Sequence, residues 1–260
     1  MIVRPRIDIL PEAQKALWPL LKEVPKDFVL YGGTAVALRY GHRQSVDFDF
    51  FSSNADNNIT ETTNKLSFIK KFARDYMPPY TESTSNSSQV IYKLDMGYDT
   101  PVEITFLRDP KFVGGSINAP YTSLDNGVKI ASPMDLMATK INALVHRHSV
   151  KDIVDIGTLI KNNISFSRGF AYALALKKAE LPNLISEYAY TLSALGTEEY
   201  YLSILRTDKN NAKELNMLFK DAADIIIKES KQVSIQKLVT RRLTISPNLH
   251  NDKGRDECER

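Results

Sequence analysis

The chain has little cysteine to build with: a single residue, Cys258, lies near the end of 260 residues. That leaves no disulfide framework and no cysteine-based zinc site, and it fits a reducing compartment. It also lacks any run approaching the roughly eighteen consecutive apolar residues of a membrane-spanning helix. The opening MIVRPRIDIL carries Arg4 and Arg6 but no apolar stretch after them, because PEAQK follows at once, so nothing reads as a secretory leader. The expected setting is therefore the cytoplasm, with no membrane contact. Excess charge of one sign is missing too, since 34 Lys and Arg stand against 31 Asp and Glu for a formal +3. Bulk electrostatics then predict neither nucleic-acid nor lipid binding, and any basic patch must be local. Neither G-x-x-x-x-G-K-[ST] nor G-x-G-x-x-G occurs, which removes the P-loop and dinucleotide fingerprints.

What remains is ordinary globular material: 43% hydrophobic and 25% charged, long enough for a sizeable core in one large domain or two smaller ones. From 12 to 24, EAQKALWPLLKEV predicts a short helix interrupted at Pro19. DFVLY has strand length and ends at Gly32 and Gly33, after which TAVALRYG is helical with Thr34 as candidate N-cap. VDFDFF, 46 to 51, alternates apolar and acidic residues rich in strand formers. A helix is expected over about 59 to 76, an exposed loop over the polar run Thr81–Ser88, and two antiparallel strands at 89–94 and 102–107. Ser132, Pro133 and Asp135 make a capped helix start running toward Ile160, with a second start at Ser149 beyond a bend near His148. After Ser165 strand signals stop, and 167–180, 183–195, 197–206 and 209–230 carry helical spacing. The expected organisation is a mixed-sheet domain over 1–164, a helical domain over 165–240 and a mobile tail over 241–260.

The stretch GGTAVALRYGHRQSVDFDFF holds the most chemistry. On a strand Asp47 and Asp49 point to one face, and Val46, Phe48 and Phe50 to the other. Two like charges so close repel unless a cation lies between them, and all-oxygen donors favour a divalent ion, Mg²⁺ before Mn²⁺. On the later strand PVEITFL, Glu103 is an acid among apolar neighbours and the candidate third carboxylate. Gly32 and Gly33 close a strand and open a helix, presenting amide hydrogens and a positive dipole end to a phosphate. Phosphate beside metal points to a nucleotide. Downstream, Lys140, Arg147 and Lys151 fall on one side of a continuous helix, beside an apolar face of Met137, Ile141, Leu144 and Val145, and such a stripe can grip phosphate; if the helix breaks at His148, Lys151 loses that register while Lys140 and Arg147, seven apart, keep theirs. Asp152 and Asp155 then orient these cations or cap the second helix. His146 and His148 splay apart and do not form a joint metal site.

These motifs carry a resemblance. GG-T, followed after twelve residues by D-x-D with GHR-x-S between, resembles the AbiEii/AbiGii toxins of the DNA-polymerase-β-like nucleotidyltransferase superfamily. KINALVHRHSVKDIVDI, 140 to 156, is similar to that family's helical motif at Lys140, Ala143, Arg147, Lys151, Asp152 and Asp155. The resemblance covers 28 to 160. It implies an α+β nucleotidyltransferase fold: a small mixed sheet flanked by helices, followed by a C-terminal helical domain. It implies that Gly32, Gly33 and Thr34 contact nucleotide phosphates, that Asp47 and Asp49 bind Mg²⁺, and that Glu103, where the wider superfamily mostly has Asp, takes the third-carboxylate position of the metal site and helps activate the attacking oxygen through a second metal or as a base. His42, Arg43 and Ser45 match the family's GHR-x-S and would meet nucleotide or acceptor. Lys140 joins the catalytic set, and Arg147, Lys151 and Asp152 the nucleotide-binding set. The implied reaction moves a nucleoside monophosphate from an NTP to a hydroxyl on tRNA or protein, in a toxin neutralised by an antitoxin. Two rivals remain: a catalytically silent nucleotide- or RNA-binding module, and an enzyme modifying a small molecule such as an aminoglycoside.

Overall fold

The computed structural model describes residues 1–52, 58–82, 87–108, 118–147, 149–177, 185–186, 189–190 and 217–233. In chain order the strands are β1 (Ile2–Val3), β2 (Val29–Tyr31), β3 (Asp47–Ser52), β4 (Ala73–Glu82), β5 (Ser87–Leu94), β6 (Val102–Arg108), β7 (Tyr121–Ser123) and β8 (Lys129–Ile130). The helices are α1 (Glu12–Leu17), α2 (Gly32–Tyr40), α3 (Ile59–Asn64), α4 (Ser67–Phe72), α5 (Pro133–Arg147), α6 (Val150–Lys161) and α7 (Phe166–Lys177), and 217–233 is also helical. Among the described residues all eight strands join one mixed sheet, ordered β1-β7-β8-β2-β3-β6-β5-β4. The α+β fold with a mixed sheet and flanking helices is present, and larger than the short strands of the sequence suggest.

The centre of the sheet follows the alternation in the sequence. Phe48 and Phe50 of β3 and Ile104 and Phe106 of β6 are fully buried on one face, where Trp18 stacks on Phe48 and Phe28 meets Phe106 edge-on. The pairing of β3 with β6 is parallel, Asp47 opposite Glu103 and Asp49 opposite Thr105, so the acids share the other face. β2 runs antiparallel to β3 and sets Tyr31 opposite Asp49, which delivers the start of α2 beside the acidic strand. Helix α5 begins as expected: the Ser132 hydroxyl accepts the Asp135 amide at 3.1 Å. The stop at Pro19 is also present, α1 giving way to a 3₁₀ stretch, Trp18–Glu23.

Several expectations are corrected. Thr34 is not the N-cap of α2; the helix opens at Gly32 after Tyr31, and the Thr34 hydroxyl instead donates to the Asp47 carbonyl, tying the helix to β3. The helix expected over 59–76 is two short ones, and from Ala73 the chain turns into β4, because pairing with β5 supersedes local propensity. The ends of the expected loop at 81–88 are paired as well, Thr81 with Ser88 and Glu82 with Ser87. Backbone ladder bonds need no apolar side chains, so polar residues can extend a pair of strands; the middle of the expected loop, 83–86, lies outside the described residues. Pro78 and Pro79 fall where the register shifts between Met77 and Tyr80, at the sheet's edge, the position proline tolerates. Ser149 stands at the start of α6 without a side-chain cap bond.

Phe166, Phe170, Ala173, Ile185, Ala189, Phe219, Ala222 and Ile226 belong to the same buried cluster as the sheet's core. Close approach is built in: a methyl at Gly157 of α6 would lie 2.2 Å from Ala222 Cβ, and one at Gly169 of α7 2.1 Å from Met137 Cγ of α5. Of the expected C-terminal helices, 183–195 and 197–206 fall largely outside the described residues, as does the tail from 241. Among the described residues no helix is long and apolar enough to cross a membrane.

Candidate active site

The site is built on three pieces: the face of β3 and β6 that carries the acids, the start of α2, and the α5–α6 corner. Asp47 and Asp49 are both half-buried, while the intervening Phe48 is fully buried, as strand alternation requires. Burial, and then the neighbouring Asp47 charge, push the Asp49 carboxyl up to about 6; Lys140 and Arg147 oppose this and Glu103 adds to it. Asp49 thus stands in the field of two other carboxylates, and ionising it without a counter-cation is unfavourable.

The start of α2 closes on this row from the β2 side. Gly32 has φ +72°, a conformation side chains rarely adopt, and a methyl there would lie 2.3 Å from Asp49 Oδ2. Glycine is therefore required twice over, for backbone and for space. A methyl at Gly33 would lie 2.4 Å from Arg43 Nη2 and 2.9 Å from Ser45 Oγ. The first-turn amides of a nine-residue helix have no intrahelical acceptor. Amides, the Ser45 hydroxyl and two acids therefore border one small region.

The basic motif folds differently from one continuous stripe. Helix α5 ends at Arg147 and α6 begins at Val150, so Lys151 belongs to a second helix. Lys140 is only 4% exposed, with its ammonium 2.9 Å from Asp152 Oδ1 and 2.7 Å from Asp155 Oδ2. Arg147 donates from Nε to Asp152 Oδ2 and from Nη2 to Asp152 Oδ1, both at 2.7 Å, yet its side chain stays 60% exposed. The cations hold both carboxylates below the usual range against the effect of burial, Asp155 most strongly. Lys151 is half-buried, and desolvation followed by Arg43 lowers the proton affinity of its amine, while Asp47 and Asp155 raise it.

Arg43 and His42 also end on Asp155, across 112 and 113 residues of sequence. No sequence pattern announces this link. The placement of Asp152 beside Lys140 and Arg147 is the orientation of cations that their spacing suggested; Asp152 does not serve in capping through its side chain. His146 is exposed, and His148 lies outside the described residues. A surface cavity of about 450 Å³ is lined by Asn64, Ile69, Lys70, Ala73 and Tyr92 and touches none of the motif residues.

Among the described residues no group of three or more His, Cys, Asp or Glu side chains is arranged to hold a metal ion by itself. A paired carboxylate is nevertheless the usual protein share of a Mg²⁺ site, which takes its other oxygens from substrate phosphates and water. The all-oxygen donors and the mutual repulsion of Asp47 and Asp49 fit that ion.

The sequence model of a family described as "Nucleotidyl transferase AbiEii toxin, Type IV TA system" matches residues 20–229. A curated relative, the uncharacterized protein aq_aa25 of Aquifex aeolicus (strain VF5), is 29% identical over 141 residues, covering 53% of this chain and 59% of that protein. The chain thus spans about three fifths of that relative's length.

Proposed function

This chain belongs to the AbiEii nucleotidyl transferase toxin family, and from that premise we propose that it transfers a nucleoside monophosphate from an NTP to an acceptor hydroxyl on RNA, such as a tRNA end, or on protein. The observation that carries the reading is the meeting of Asp47 and Asp49 with the glycine start of α2, where a single methyl at Gly32 would reach the Asp49 carboxylate. Asp47 and Asp49 would hold Mg²⁺, which when bound neutralises charge on the phosphates. The α2 amides and the Ser45 hydroxyl are placed to donate to phosphate oxygens. Arg147, anchored by Asp152 but open to solvent, and Lys151 supply positive charge for the departing pyrophosphate. Lys140 acts from behind them, as the counter-charge that keeps Asp152 and Asp155 ionised.

On the other side of β3, Glu103 stands next to Asp47 in the parallel register. In-line displacement puts the acceptor opposite the leaving group. With the phosphates at α2, the acceptor enters over β6, where Glu103 can take the hydroxyl proton. The acceptor oxygen bonds to the α-phosphorus as the α–β phosphoanhydride breaks and pyrophosphate leaves. Family membership also supports the role of a toxin with a cognate antitoxin.

Incubation with each α-labelled NTP, Mg²⁺ and total RNA or cell lysate tests this, with label expected in one class of macromolecule and lost in Asp47→Ala. Retention of full transfer by Asp47→Ala overturns the mechanism. Nucleotide binding without pyrophosphate release from any acceptor pool supports a silent binding module instead, and a shift in aminoglycoside mass a small-molecule enzyme.

A further inference from the structure

Three donors from distant parts of the chain converge on one carboxylate that lies outside the acidic row. Asp155 is fully buried and accepts from Arg43 Nε and Nη2 at 2.8 Å each, from His42 Nε2 at 2.6 Å and from Lys140 Nζ at 2.7 Å. His42 and Arg43 lie in the link 41–46 between α2 and β3, the segment that carries Ser45. This link is fastened at each end: Gly41 takes a left-handed turn, its amide bonded to the Ala37 carbonyl, and Thr34 holds the Asp47 carbonyl. Between these points its register depends on Arg43.

Every nitrogen of the Arg43 guanidinium donates at least once within the protein, three bonds for its five N–H groups. Nε and Nη2 make the bidentate fork on Asp155, Nη1 donates to the Gln44 carbonyl at 2.8 Å, and the group lies over Gly33. Its side chain is 5% exposed. A guanidinium offers five donors in a rigid plane; here its Nε/Nη2 fork is closed on a carboxylate, Nη1 is held by a backbone carbonyl, and the burial of the group keeps a phosphate from meeting it edge-on. His42 shows the same inward arrangement. Because Asp155 only accepts, His42 Nε2 carries the hydrogen, and Nδ1, buried with no partner among the described residues, is left as an acceptor.

We propose that Asp155 is a positioning residue, locking the 41–46 link onto α6 so that Ser45 and the α2 amides form one phosphate-binding surface, with Arg43 a strut rather than a nucleotide contact. The proposal rests on the nucleotidyltransferase reading for its phosphate-binding surface and its kinetic readout, while the locking of 41–46 by Asp155 stands apart from it. Asp155→Asn leaves the buried Arg43 charge without its carboxylate, and Arg43→Gln leaves Asp155 to Lys140 and His42 alone, whereas removing both leaves neutral amides that can still bond to each other. Losses are therefore strongly non-additive.

The test uses the full chain with Asp155→Asn and Arg43→Gln, singly and together. Each single variant is expected to raise KM for the NTP by about tenfold or more with a smaller change in kcat, and the double variant to lose less than the product of the two. Ser45→Ala, costly in the wild type, adds nothing in the Asp155→Asn background. Amide hydrogen exchange accelerates across 41–46 in both single variants, and ¹⁵N spectra report the Nε2–H tautomer of His42 in the wild type and its loss in Asp155→Asn. Multiplicative losses with unchanged exchange at 41–46 overturn the proposal and make Arg43 a nucleotide contact. Should Asp155→Asn fail to fold, Arg43→Gln and His42→Gln carry the kinetic and exchange measurements, and the tautomer is read in the wild type and in Arg43→Gln. If the wild type transfers no nucleotide to any acceptor, the functional reading falls, and exchange at 41–46 together with the tautomer still decides this inference.

Discussion

Asp49 is where the molecule gives up stability for its site. Its carboxyl is pushed up to about 6 by burial and by Asp47, so between the ordinary aspartate value and that point the folded protein binds more protons than the unfolded chain. Stability of the metal-free protein therefore falls as pH rises from about 4 through about 6 and stays lower above. Asp49→Asn removes this effect, and urea unfolding in chelator at pH 7.5 should show the variant more stable by on the order of 2 kcal/mol, with the gap closing toward pH 4. Millimolar Mg²⁺ with NTP should narrow the gap from the wild-type side, since ligand binds the ionised form. Gly33 supports a second expectation. Gly33→Ala brings a methyl to 2.4 Å from Arg43 Nη2 and 2.9 Å from Ser45 Oγ, two side chains with little room to retreat. NTP affinity should drop by about tenfold or more in titrations, with the far-ultraviolet spectrum unchanged.

Among the elements, α6 is constrained on both sides, since Asp152 and Asp155 face the cations while Gly157 faces Ala222. Alanine is worth up to about 1 kcal/mol over glycine inside a helix. At Gly157 that gain is outweighed, because the new methyl would fall 2.2 Å from Ala222 Cβ and 2.7 Å from its Cα, where backbone must move. Gly157→Ala should destabilise by about 1–3 kcal/mol in denaturant titration. At the other end of the corner, Ser132→Ala removes the hydroxyl that accepts the Asp135 amide and should cost about 1 kcal/mol.

Which elements could be read from the sequence has a physical pattern. The β3 alternation, the Pro19 break and the Ser132 start each depend on residues within a few positions, and each is present. The 59–76 helix, the two ends of the Thr81–Ser88 loop and the Thr34 cap differ because the deciding partner lies elsewhere: strand pairing between β4 and β5 for the first two, the Asp47 carbonyl for the third. The three two- or three-residue strands at the β1–β7–β8 side carry no periodicity long enough to see. In the site, the acidic row and the glycine elbow are legible locally. That Lys140 is buried between two aspartates, and that Arg43 points inward, are facts of tertiary placement.

Taken as a whole, the molecule has a core that does not stop where strand signals end. Helix α5 is packed against α7, Lys161 of α6 meets Asp221 at 3.1 Å, and Phe166, Phe170 and Phe219 are buried with the sheet's aromatics. A chain cut after residue 164 would expose those contact faces, and it should lose the cooperative unfolding transition and bind hydrophobic dye, as followed by calorimetry and fluorescence. An intact, cooperative transition in the 1–164 fragment would mark it as a self-sufficient unit. The long closure between residues 42–43 and residue 155 has a further bearing on how such a protein is made. On the ribosome, the link 41–46 emerges more than a hundred residues before the carboxylate that fastens it, so during synthesis it stays unanchored until Asp155 has followed it out of the exit tunnel.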